Sequence, residues 1–190
     1  MRLFVALEIP DAVRRALREL IARLKPECAD ARWVRPEGMH LTLKFLGETD
    51  GAKLDSIKAA LSPIHSDRPV DLDFRGLGFF PHEFHPRVIW CGVKGSSNLA
   101  ILAASVDTAL RPLGFSPESR EFSPHLTLAR FDSHKSLDTL VRAANNLKSY
   151  DFGSARQSGF CLYQSVLKRG GAEYTRLATF AFAEKAQRDR

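Results

Sequence analysis

Residues 124–131 read PHLTLARF, and residues 39–46 have already read MHLTLKFL. His-Leu-Thr-Leu therefore occurs twice, with its histidines 85 positions apart (125 − 40). A shuffled chain of this composition would hold roughly 0.003 copies of the tetrapeptide, so two copies need a physical cause.

The surroundings repeat with the motif. Arg2–Glu8 reads as a strand and is followed by a helix over about Asp11–Lys25. Asp11 is suited to cap that helix, Val13, Leu17, Leu20, Ile21 and Leu24 form its apolar stripe, and Pro26 stops it. His40–Leu46 alternates as a strand, and a second helix spans about Ala52–Leu61. The order then restarts. Arg87–Val93 is a strand, Ser96 or Ser97 is placed to cap a helix carrying Leu99, Leu102, Val106 and Leu110, and the second HLTL follows. A last helix carries Leu137, Leu140, Val141, Ala144 and Leu147. An offset of 85 also carries FRGLGFF (74–80) onto GFCLYQS (159–165). A repeat this long is a duplicated supersecondary unit, not a solenoid period. The expected fold is α+β: a bilobal pseudo-twofold duplication, with two mostly antiparallel sheets facing a central cleft and helices packed outside. It occupies residues 1–183 as one domain, and EKAQRDR (184–190) reads as a polar tail.

Composition narrows the function classes. The 190 residues are 44% hydrophobic and 26% charged, as in a soluble globular chain. The apolar run Leu3–Leu7 is too short for a signal-peptide core or a membrane span. Three scattered cysteines, Cys28, Cys91 and Cys161, suggest free thiols in a reducing cytoplasm. A net charge of +6 favours anionic partners, although the basic residues are spread along the chain.

In a strand, residues i and i+2 share a face, so His40 projects with Thr42 and His125 with Thr127, while Leu41, Leu43 and Phe45 pack behind the first pair and Leu126 and Leu128 behind the second. Two such faces in apposition give a cleft with two imidazoles and two hydroxyls. Imidazole titrates near pH 6.5, so one copy can be neutral and the other charged. The neutral one can deprotonate an attacking oxygen at a phosphate, and the charged one can protonate the departing oxygen. Each hydroxyl can donate to a non-bridging phosphate oxygen as charge builds there. Nothing in this scheme needs a metal or another cofactor. One HxT alone is most often a hydrogen-bonded histidine at a sheet surface. A duplication without function would keep the leucines and need not keep the polar pair.

HLTLKFLG and HLTLAR, with an opening RLFVALEIP and an RWV before the first histidine, resemble the two-histidine (2H) phosphoesterase superfamily. Within it the chain is most similar to the RNA 2′,3′-cyclic phosphodiesterases, once described as 2′-5′ RNA ligases. The likeness runs from Met1 to about Phe182. It implies that His40 is the proton donor and His125 the proton acceptor, that Thr42 and Thr127 bind phosphate, and that the reaction hydrolyses an RNA 2′,3′-cyclic phosphate to a 2′-phosphomonoester. Reversible formation of 2′-5′ phosphodiesters at the same site, and a non-catalytic RNA-end-binding protein, are the alternatives. The implied setting is a cytoplasmic monomer acting on RNA ends or nucleotides with cyclic phosphates, away from membranes.

The resemblance also places an arginine at Arg130 and implies that it contacts the substrate phosphate. Strand parity puts Arg130 with Leu126 and Leu128 instead, unless the strand ends or bulges there, and it points Lys44 into the cleft. His82 and His85 sit in a proline-bounded loop without a clear third metal ligand. His65 and His134 flank helices and are expected to be exposed. Among Trp33, Phe79, Phe80 and Tyr174, core packing is the expectation for most, with Trp33 the candidate to stack on a ligand.

Overall fold

The structure is a computed structural model and describes residues 1–28, 30–132, 137–168 and 171–182. His134 and the tail at 184–190 lie outside the described residues. The elements run β1 (Arg2–Leu7), α1 (Asp11–Leu24), β2 (Arg32–Trp33), β3 (Leu41–Glu48), α2 (Leu54–Leu61), β4 (Val70–Phe80), β5 (Val88–Gly95), α3 (Asn98–Leu110), β6 (His125–Arg130), α4 (Asp138–Asn145), β7 (Asp151–Gln157), β8 (Gly159–Lys168) and β9 (Gly171–Ala181).

The strands form two antiparallel sheets, one ordered β3-β1-β8-β9 and the other β2-β6-β5-β4-β7. Moving β1, β3 and β4 along the chain by 85 residues lands them on β5, β6 and β8. The run β3-β1-β8 in one sheet therefore answers to β6-β5-β4 in the other. The third strand of each repeat has crossed over: β4 pairs with β5 of the second repeat, and β8 pairs with β1 of the first. Both sheets are thus built from both halves of the chain.

Behind the sheets the helices bury their apolar faces. Val13, Leu17, Leu20, Ile21 and Leu24 of α1 are all buried, as their spacing requires. One hydrophobic cluster runs from Leu3 to Phe182 and takes in residues of both repeats. Two expected caps differ. Pro10 holds the capping position of α1, so Asp11 lies inside the first turn, where its carboxylate meets Arg14 at 3.2 Å. Neither Ser96 nor Ser97 caps α3 through its side chain. The Ser96 hydroxyl instead accepts from the Asp71 amide at 3.0 Å and donates to Asn98 Oδ1 at 2.6 Å, tying the helix start to β4. No helix among the described residues is long and apolar enough to cross a membrane.

Candidate active site

His40 lies one residue before β3, behind a tight turn at Pro36–Gly38, and His125 is the first residue of β6. Each imidazole places Nδ1 on the carbonyl oxygen two residues earlier. The distance is 2.9 Å from His40 to Gly38 and 2.7 Å from His125 to Ser123. Gly38 and Ser123 are themselves 85 residues apart, so the duplication has copied the orienting contact along with the histidine. A carbonyl can only accept, so Nδ1 carries the proton in both rings. That leaves Nε2 as the nitrogen free to meet a ligand, an acceptor when the ring is neutral and a donor when it is charged. Thr42 and Thr127 are half-buried, and neither hydroxyl takes part in a hydrogen bond among the described residues.

Beyond each threonine the strands bulge at matched positions. On β3, Thr42 pairs with Ala6 and Lys44 with Val5, which leaves Leu43 unpaired. On β6, Thr127 pairs with Trp90 and Ala129 with Ile89, which leaves Leu128 unpaired. An extra residue reverses the facing of everything after it. The burial patterns agree: Leu43 and Lys44 are both buried, like Leu128 and Ala129, and Phe45 and Arg130 are then both exposed.

Both parity expectations fall to this bulge. Lys44 does not enter the cleft. It is 3% exposed, and its ammonium donates to Asp107 Oδ1 at 2.6 Å and to the Ser116 carbonyl at 2.8 Å behind the sheet. Arg111 and the Glu118 amide also hold Asp107. The Lys44 hydrogen bond, with help from these two, pulls the Asp107 carboxyl down to about 2. Phe45 is not in the core either. It is 61% exposed, and its ring lies 6.0 Å from that of Phe4, on the side of the sheet that carries His40. Arg130 shares the face of His125 and Thr127.

Aromatic rings wall both histidines. Phe4, Tyr163 and Tyr174 surround His40 with centroids at 5.7, 4.3 and 5.4 Å. Phe80 stands edge-on to His125 at 4.9 Å, with Trp90 at 6.4 Å. Burial among its rings pushes the His40 imidazole below the usual range; the Gly38 contact opposes this, Arg14 adds to it, and Glu8 works against it. The Glu8 carboxylate accepts from the Tyr163 hydroxyl at 2.9 Å and from Arg176 at 3.0 Å. Burial raises the Tyr174 phenol, and the charges of Arg2 and Arg130 pull it back. Arg130 of one sheet therefore acts on a ring of the other sheet that touches His40. The strands that carry the two motifs adjoin each other, β3 beside β6.

Trp33, the expected stacking residue, is turned away. It pairs with buried Ala129, its indole N–H donates to the Cys28 carbonyl at 3.2 Å, and it packs on the core. Phe79 is buried in the core as well, whereas Phe80 and Tyr174 are cleft residues. Sequence reasoning misses Phe4, Tyr163, Glu8 and Trp90. Pairing β8 with β1 places Tyr163 opposite Phe4, but the repeat alone gives no sign that β8 crosses to the other sheet. Among the described residues no group of three or more His, Cys, Asp and Glu side chains is placed to hold a metal ion.

The LigT-like phosphoesterase family profile matches residues 7–90 and again 93–174. An RNA 2′,3′-cyclic phosphodiesterase of Archaeoglobus fulgidus is 36% identical over 181 residues, covering 95% of this chain and 99% of that protein. A crystal structure from Thermus thermophilus superposes with a TM-score of 0.81 at 30% identity, covering 98% of this chain and all of that one. Escherichia coli LigT complexed with 3′-AMP gives a TM-score of 0.77 at 27% identity, covering 96% of this chain and 98% of that one.

Proposed function

The chain belongs to the LigT-like phosphoesterase family, and from that premise we propose that it hydrolyses the 2′,3′-cyclic phosphate ends of RNA to 2′-phosphomonoesters. One observation carries the mechanism: the two imidazoles are held by the same carbonyl contact at equivalent positions of the repeat. Two Nε2 atoms with fixed Nδ1 partners suit one proton acceptor and one proton donor on either side of a phosphate.

His125 Nε2 takes a proton from water as the water oxygen bonds to phosphorus. The bond from phosphorus to O3′ breaks, and His40 Nε2 gives its proton to O3′. The hydroxyls of Thr42 and Thr127 and the guanidinium of Arg130 hold the non-bridging oxygens, where charge grows in the transition state. The aromatic burial of His40 drives the free imidazole toward neutral. An anionic phosphate at Nε2 supplies the opposite charge that returns the proton.

The test is incubation with an oligoribonucleotide ending in a 2′,3′-cyclic phosphate, with the product read by phosphorus NMR. A 2′-phosphomonoester is expected. Binding without turnover would leave an RNA-end-binding protein, and a 3′-phosphomonoester would reverse the assignment of the leaving oxygen.

A further inference from the structure

The loop joining β4 to β5, residues 81–87, has no part in this mechanism, yet it starts at the ring that abuts His125. Phe80 leads into it and pairs with Val88, which in turn pairs with Arg130, so the loop springs from the end of the sheet that carries Arg130. Phe84 at its tip is 80% exposed. The ring of His82 lies 6.1 Å from that of Phe84 and 5.7 Å from that of His85. The loop is braced at several points. The Arg87 amide donates to the Phe80 carbonyl at 2.7 Å, the His85 amide to His82 Nδ1 at 3.3 Å, Glu83 pairs with Lys148 at 3.6 Å, and Pro86 is buried. A braced, exposed aromatic tip with the His82 ring beside it, on a loop that ends at the exposed Arg87, is a platform on which a base can stack.

We propose that the 81–87 loop is a subsite for the RNA strand next to the cyclic end, with Phe84 stacking a base and Arg87 facing the backbone phosphate. The inference rests on the activity proposed above and adds to it that the preferred substrate is a strand and not a mononucleotide.

Phe84→Ala and Phe84→Trp are compared with wild type on a 2′,3′-cyclic mononucleotide and on an oligoribonucleotide with the same cyclic end. Phe84→Ala should lower kcat/KM for the oligonucleotide by about 5- to 100-fold, as one base–aromatic stack supplies. Phe84→Trp should restore it, and turnover of the mononucleotide should stay unchanged in both variants. Equal loss on both substrates, or loss on neither, overturns the inference while leaving the hydrolase reading intact. If wild type turns over neither substrate, the hydrolase reading falls. Anisotropy of a labelled oligonucleotide then decides the subsite, and an unchanged Kd in Phe84→Ala refutes it.

Discussion

Replacing Lys44 by methionine keeps the aliphatic stem and removes the cation buried beside Asp107. The pair sits at 2.6 Å with the two residues 3% and 7% exposed, so solvent screens it weakly. At an effective dielectric of about 20 the direct attraction is about 6 kcal/mol, offset by several kcal/mol for desolvating the ammonium. Asp107 keeps Arg111 at 2.7 Å and the Glu118 amide at 3.0 Å after the change. The net loss should therefore fall at the low end for a broken buried pair, about 3 kcal/mol. For a chain of this length that lowers Tm by about 6–12 °C. Acid alters the gap in a defined direction. The Asp107 carboxyl is depressed from 3.8 to about 2, so its contribution is present above pH 4 and disappears as pH falls through about 2. Thermal and urea unfolding should show wild type and Lys44→Met far apart at pH 7 and converging below pH 4. Adding Asp107→Leu should recover most of the loss, because an apolar pair replaces an ionic one. The kcat of Lys44→Met should change little. A variant with full stability and lost turnover would place Lys44 in the cleft after all and refute the bulge reading.

His40→Ala and His125→Ala should each lower kcat by roughly 10²–10⁴, with the double variant losing less than the product of the two and a chelator leaving wild-type turnover unchanged. Retained activity in either single variant would remove that histidine from the chemistry. Thr42→Val and Thr127→Val should keep the thermal midpoint and raise the barrier by about 2–4 kcal/mol, read from kcat; normal kcat would show that the hydroxyls do not serve the reaction. Burial lowers the His40 value in the folded chain, so NMR should find it titrating below about 6.5 when free and higher once a nucleotide phosphate is bound. By the same sign, unfolded His40 takes the proton more readily and stability falls as pH drops below about 6.5; a free value above 6.5 would contradict the aromatic enclosure.

The duplication, the two HxT faces and the helix stripes can be read from the sequence because each depends on local periodicity. Period 2 places His40 beside Thr42, and the α1 stripe follows period 3.6 without help from the rest of the fold. The facing of Lys44, Phe45 and Arg130 cannot be read the same way. A bulge depends on how a strand pairs with its neighbour, and nothing in LTLKF or LTLAR announces the unpaired leucine. The resemblance implies an Arg130 that meets the phosphate, and the bulge at Leu128 turns Arg130 to the face of His125 where plain parity would not. The aromatic wall of His40 depends on β8 crossing over, a contact between residues 4 and 163 that no local signal encodes. Trp33 is misread through its neighbour: it pairs with Ala129, which the same bulge turns inward.

The exchanged strands make each half of the chain an unfinished object during synthesis. When residues 1–80 have emerged from the ribosome, β1 has its partner β3 on one edge, while the other edge waits for β8, whose residues begin at 159. Meanwhile β4 has nothing to pair with until β5 appears. A nascent N-terminal half thus carries open strand edges, which are templates for association with other chains. Split at the 81–87 loop, the two fragments should refold only together, each supplying the other's missing strand. A split chain that regains activity on mixing, with neither fragment folded alone, would be the signature of that interdependence.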